Sequence, residues 1–234
     1  MAFKTVFNRY ELKYMLTEEQ KARLLSYMSQ YTVPDKYKNS TIRNVYFDTE
    51  SYRLIRRSME KPKYKEKLRI RSYEKALDDS TVFVEIKKKY DHVVYKRRLY
   101  MTENDAMQWI CNGKQPAERS QIGDEIDYFI SFYKSLHPTV FLSYDREAFV
   151  SVLADDLRIT FDTDIRARLS GLSLSCDPGG ALLLPEGRVL MEIKTAGAIP
   201  LWLCRFLSEE RLYKTSFSKY GTAYEKLIFD KRGT

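Results

Sequence analysis

Histidine is almost missing from this chain: its 234 residues include two, His92 and His137, which leaves no basis for a histidine-rich metal site. Cysteine is scarce as well. Cys111, Cys176 and Cys204 stand far apart and are odd in number, so neither a disulfide framework nor a zinc spacing emerges and a reducing cytoplasm is the expected setting. The longest apolar runs, residues 181–184 and 199–204, are far too short to span a bilayer. The first residues lead straight into an alternating pattern with no signal-peptide core, so a soluble cytoplasmic protein is expected. Neither Gly-x-x-x-x-Gly-Lys-Ser/Thr nor Gly-x-Gly-x-x-Gly occurs, so any nucleotide is held without a glycine-rich phosphate loop. Repeats, low-complexity tracts and Pro/Gly-rich linkers are also absent, and one domain over residues 1–234 is expected.

What is present is a core and an excess of positive charge. Hydrophobic residues make up 44% of the chain and aromatics 14%, enough to rule out disorder. The formal charge is +8, which points to an anionic partner: nucleic acid, a membrane surface or a phosphate compound. The charge is spread along strand-like segments and is not gathered in a tail, which favours a site over an adhesive arm. In Lys65-Glu66-Lys67-Leu68-Arg69-Ile70-Arg71 the cations fall on alternate positions. Strand side chains alternate faces, so one face is a row of cations while Leu68 and Ile70 point the other way. The same pattern recurs around Lys13, Glu85-Ile86-Lys87, Lys96-Arg97-Arg98, Tyr144-Asp145-Arg146 and Glu192-Ile193-Lys194. Stacked cations repel unless they share a polyanion.

Alternation predicts strands near 4–15, 41–48, 65–73, 81–89, 92–100, 139–150, 157–169 and 188–195. Thr17 to Gln20 predicts a capping box opening a helix with Ala22, Leu25 and Met28 on one face. Further helices are predicted after Thr102, along Ile122 to Tyr133, from Pro200 and from Ser218. About eight antiparallel strands with helices as insertions predict an α+β fold: a β-barrel whose apolar face lies under outer helices and whose charged face lines the lumen.

Arg69 and Arg71, with Lys67, are the strongest phosphate candidates, since paired guanidinium forks grip a phosphate bidentately; a solvated sheet edge is the plainer reading. Lys87 and Lys89, and Lys96 and Arg98, are brought together by a hairpin predicted at Tyr90-Asp91. Glu11, Glu85 and Glu192 share faces with these cations. They are either salt-bridge partners or ligands for Mg²⁺ or Mn²⁺ bridging phosphate oxygens. Ser216 to Gly221 reads as a helix start that favours an anion or as an ordinary cap.

The ordered series FNRYELKY (7–14), VYFDT (45–49), KLRIR (67–71), FVEIK (83–87), SYDREAF (143–149), RITFD (158–162), LMEIK (190–194) and SFSKY (216–220) resembles the VTC domain. This is the polyphosphate polymerase domain of the vacuolar transporter chaperone complex, within the CYTH-like triphosphate tunnel metalloenzymes. The resemblance implies an eight-stranded tunnel that binds a triphosphate with Mn²⁺ or Mg²⁺ and moves the γ-phosphate of ATP onto a growing polyphosphate chain. It implies catalytic roles for Lys13, Arg69, Arg71, Lys87, Lys96, Arg146 and Arg158, and phosphate contacts that add Lys89, Tyr144, Ser218 and Lys219. Glu192 matches its metal-binding glutamate, with Glu11 and Glu85 as alternatives. The chain departs from the wider superfamily at Arg9, where a carboxylate is common, and at Lys89, where some relatives carry histidine. No regulatory domain or membrane segment accompanies the resemblance, so anything those parts do comes from a separate membrane-protein partner or is absent. Hydrolysis of triphosphate or polyphosphate, and polyanion binding without turnover, are the rival readings. Specific nucleic-acid binding is not expected, because it calls for an outward basic patch.

Overall fold

The computed structural model describes residues 6–8, 10–77, 79–91, 93–153 and 156–230. The strands are β1 (Val6–Asn8), β2 (Tyr10–Thr17), β3 (Thr32–Asp48), β4 (Tyr64–Ser72), β5 (Thr81–Tyr90), β6 (Val93–Thr102), β7 (His137–Ser151), β8 (Arg158–Arg168), β9 (Ala181–Leu182) and β10 (Arg188–Thr195). The helices are α1 (Glu18–Met28), α2 (Arg53–Met59), α3 (Glu103–Asn112), α4 (Gln121–Tyr133), α5 (Leu201–Glu209) and α6 (Lys219–Tyr224), with a π-helical turn over Glu225–Phe229. No described helix is long and apolar enough to cross a membrane.

All strand pairs are antiparallel, in the order β1-β6-β5-β4-β3-β7-β8-β10-β2, with β9 added on β8. The expected closed eight-stranded barrel does not form. The single strand expected over 4–15 is divided: residues 6–8 pair with β6 at one end of the sheet, and β2 pairs with β10 at the other. Among the described residues β2 does not pair with β6, the contact that would close the ring. The physical reason lies at the other edge of β2, which the segment leading to α6 occupies. Tyr14 bridges Lys214, and the Thr215 amide donates to the Lys13 carbonyl at 2.8 Å. An edge already hydrogen-bonded cannot also close a ladder.

The helix signals work largely as expected. Thr17 and Gln20 form a reciprocal capping box, although the buried face of α1 carries Leu24 and Met28 while Ala22 is exposed. Thr102 caps α3, and Gly113, at φ 72°, ends it in the left-handed conformation that glycine adopts without strain. On the convex face, Leu68, Ile70, Val84 and Ile86 pack with Trp109 of α3 and Ile126 and Phe129 of α4. Ile159, Phe161, Met191 and Ile193 pack with Leu24 of α1 and Leu203 and Phe206 of α5.

A third cluster changes the expectation that every helix lies outside. Tyr46 and Tyr144, on the face that carries the cations, pack with Ile55 of α2 and Tyr220, Ala223 and Tyr224 of α6. α2 has no counterpart among the predicted helices. It is started by Asp48, whose buried carboxylate accepts from the amides of Thr49 (2.8 Å), Leu54 (2.9 Å) and Ile55 (3.0 Å). The fourth donor is the Tyr220 hydroxyl at 2.9 Å. Strand β3, α2 and α6 are thus fastened at one carboxylate. Tyr220→Phe removes that hydroxyl and leaves a buried acceptor short of a donor. It should lower unfolding free energy by about 1–3 kcal/mol in urea denaturation.

Candidate functional site: a cationic cavity

The alternation read from the sequence becomes register in the sheet. Lys67, Lys87 and Lys96 are directly paired across β4, β5 and β6, as are Arg69, Glu85 and Arg98 one step along. Paired side chains on one face stand with Cβ atoms about 4.5–5.5 Å apart. A cavity of about 1330 Å³ opens above this face, and among its lining residues lysines and arginines outnumber acidic residues more than two to one. The lining includes Lys13 and Glu11 from β2, Arg69 and Arg71 from β4, Lys87 and Lys89 from β5, and Lys96 from β6. Tyr144 and Arg146 come from β7, Arg158 from β8, Glu192 from β10, and Ser218 and Lys219 from the start of α6. Of the residues singled out from the sequence, Glu85 is set apart: it is 1% exposed and lies behind the wall.

Two ion-pair knots organise these groups. In the first, Glu85 meets Arg69 at 2.8 Å, Lys96 at 2.5 Å and Arg71 at 3.8 Å. Arg69 also donates to the Tyr46 hydroxyl (2.7 Å), and Arg71 to Asn44 (2.9 Å) and the Tyr144 hydroxyl (3.1 Å). In the second, Arg146 grips Asp162 with two bonds of 2.6 and 2.7 Å, and Lys219 reaches the same carboxylate at 2.6 Å. Glu192 faces Lys194 (2.9 Å), Lys219 (3.4 Å), Arg146 (3.5 Å) and Lys13 (3.7 Å). Cations exceed carboxylates in both knots.

The electrostatics follow from that imbalance. Burial pushes the Glu85 and Glu192 carboxyls up, but surrounding cations outweigh it and hold both well below the usual range. Glu11 is likewise held at about 2, burial being overcome by Lys87, 2.8 Å away, and Lys194. Lysines respond in opposite directions. Burial and neighbouring arginines bring Lys96 down to about 7 despite Glu85. Burial, with Arg146, brings Lys194 to about 7 against Glu192. Lys219 is raised, because Asp162 and Glu192 overcome its burial. Lys67 is also at about 7, from burial and then Lys87, Lys13, Lys65 and Arg69. Its ammonium donates to Ser218 Oγ at 3.1 Å and lies 5.8 Å from the Tyr220 ring, and no carboxylate pairs with it among the described residues.

Asp162 and Arg158 share strand parity, but Asp162 belongs to Arg146 and Lys219, and Arg158 pairs with Asp35 at 2.8 Å. Lys194, Asp162, Tyr46 and Asn44 join the site without having been candidates for it. Lys194 and Asp162 had a signal, since each shares strand parity with a residue already chosen. Of the three candidate metal ligands, Glu11 and Glu192 reach the cavity. No group of three or more metal-ligating side chains occurs among the described residues, Glu192 already faces four cations, and Glu85 lies off the wall.

Two expectations follow. With its pKa brought to about 7, Lys67 should be largely uncharged at pH 8 in the free protein, and a bound polyanion should draw a proton back to it. Calorimetric titration of tripolyphosphate at pH 8, in buffers of different ionisation enthalpy, should report proton uptake that is smaller by about one proton in Lys67→Gln. Equal uptake by both proteins would refute the assignment. Glu192→Gln leaves four cations short of a counter-charge. It should destabilise the free protein by about 3–5 kcal/mol, while tripolyphosphate raises its melting temperature more than it does that of the parent.

Comparison with known proteins fits this geometry. The chain is similar to the structure of a candidate adenylate cyclase from Bacillus halodurans, at 14% identity and a TM-score of 0.58 over 96% of this chain and 100% of that one. It is also similar to a candidate adenylyl cyclase from Hippeastrum described as having dominant triphosphatase activity, at 16% identity and a TM-score of 0.57 over 94% and 97% of the two chains. No curated protein matches. The family model of the VTC domain matches residues 8–228, and the chain therefore belongs to the VTC domain family.

Proposed function

We propose that this protein is a phosphate-handling enzyme that holds a linear triphosphate in the cationic cavity and cleaves its terminal phosphoanhydride bond, with water as acceptor. The observation that carries the reading is the pair of knots in which cations exceed carboxylates, converging from both halves of the sheet and from α6. A multiply charged linear anion is the ligand whose charge fits that excess. Phosphoryl transfer through a loose transition state needs positioning and charge stabilisation more than a protein nucleophile. Arg69, Arg71, Lys87 and Lys96 would hold one stretch of the chain, and Lys13, Arg146 and Lys219 the other. Water attacks the terminal phosphorus, the bridging P–O bond breaks, the departing diphosphate keeps the electron pair beside the arginines, and the water's protons end on the two phosphate products. Mg²⁺ or Mn²⁺ enters this reading as the counter-ion of the triphosphate, brought in with the substrate.

A second reading keeps the same grip and replaces water with the end of a polyphosphate chain, making the protein an ATP:polyphosphate phosphotransferase. Membership of the VTC domain family favours it. Incubating the protein with Mn²⁺ and either tripolyphosphate or ATP separates the two. Phosphate release from both, without a polyphosphate ladder on a gel, is the expected result. A ladder from ATP selects the polymerase, and tight binding with no turnover leaves a polyanion-binding module without catalysis. For either enzyme, Arg69→Ala should reduce turnover at least tenfold by removing a charged contact worth about 1.5–3 kcal/mol.

A further inference from the structure

Strand β3 leaves its partner for four residues near its start. Its ladder with β7 is interrupted between Pro34 and Asn39, so residues 35–38 form an arm at the rim of the cavity, which Asp35, Lys36, Tyr37 and Ser40 line. The arm is fixed. Asp35 pairs with Arg158 at 2.8 Å and accepts from the Tyr37 amide at 3.3 Å. Lys38 lies on the other side of the arm, 5.8 Å from the Phe149 ring. Tyr37 lines the cavity together with Asp35 and Lys36. Tyr37 is 59% exposed, and the ammonium of Lys36 stands 5.4 Å from its ring centroid.

An exposed aromatic ring at the rim of a cationic cavity is an arrangement that an inorganic phosphate chain does not use. It suits a ligand with a flat, apolar group at one end of a polyanion, because base–aromatic stacking tolerates any base. We propose that Tyr37 is the stacking platform for the base of a nucleoside triphosphate whose phosphates run inward past Arg158 and Lys194. Arg158 has two tasks in this arrangement: it anchors the arm through Asp35, and it stands between the base and the knot around Glu192. The proposal rests on the reading of the cavity as a triphosphate site and adds to it a nucleoside end.

The test compares two ligands that differ in the base and sugar. Binding of ATP and of inorganic tripolyphosphate is measured by calorimetry, without turnover, for the parent protein, Tyr37→Ala and Tyr37→Phe. Tyr37→Ala should weaken ATP binding about tenfold and leave tripolyphosphate binding unchanged, and Tyr37→Phe should retain the parent's affinity for both. An equal loss for both ligands would mean that the residue only supports the wall, and no loss for either would mean that the base does not touch it; each result overturns the platform. If the parent binds neither ligand, the triphosphate reading of the cavity falls, and the platform falls with it.

Discussion

Positive charges confined to one cavity repel each other, and much of the rest of the structure answers that repulsion. Two unit charges 4 Å apart interact by about 4 kcal/mol at a near-surface effective dielectric. Register places Lys67, Lys87 and Lys96 side by side, and a second row directly beyond them. Glu85, Asp162 and Glu192 relieve part of this, each shared among several cations. The apolar convex face supplies the opposing force: Leu68, Ile70, Ile86 and Ile193 are buried on the backs of the strands whose fronts carry the charge. Burying side chains of that size stabilises by roughly 1.5–3 kcal/mol each, so the two faces of one strand act against one another.

In the proposed function, the charge that remains unmatched is where affinity for an anion originates. A site whose cations were fully paired would have to break ion pairs to bind, and would gain little from doing so. Here the carboxylates hold arginine and lysine heads in position without neutralising them all. Lys67 is the extreme case, a recessed amine whose charge is opposed by Lys87, Lys13, Lys65 and Arg69. The cavity is thus organised before a ligand arrives and is electrostatically incomplete until one does.

The sequence was readable where a local rule had a single outcome. Period-two alternation identified which residues share the charged face, and capping chemistry located the starts of α1, α3 and α6 at Thr17, Thr102 and Ser218. What could not be read depended on distant partners. Asp35 as the partner of Arg158 comes from an arm more than a hundred residues away. That β2 does not pair with β6 goes with Lys214 and Thr215 occupying the edge of β2, a long-range contact that no alternation pattern encodes. Helix α2 escaped because its start is organised by Asp48 from within β3, with a completing donor on α6.

That fastening of α6 bears on the order in which the protein becomes competent. A ribosome delivers the strands carrying Arg69, Lys87 and Lys96 long before Ser218, Lys219 and Tyr220 emerge. Until then Asp48 lacks its hydroxyl donor, Asp162 lacks one of its two cations, and the concave apolar surface around Tyr46 and Tyr144 has no cover. One short late segment therefore finishes the charge network and covers that apolar surface together.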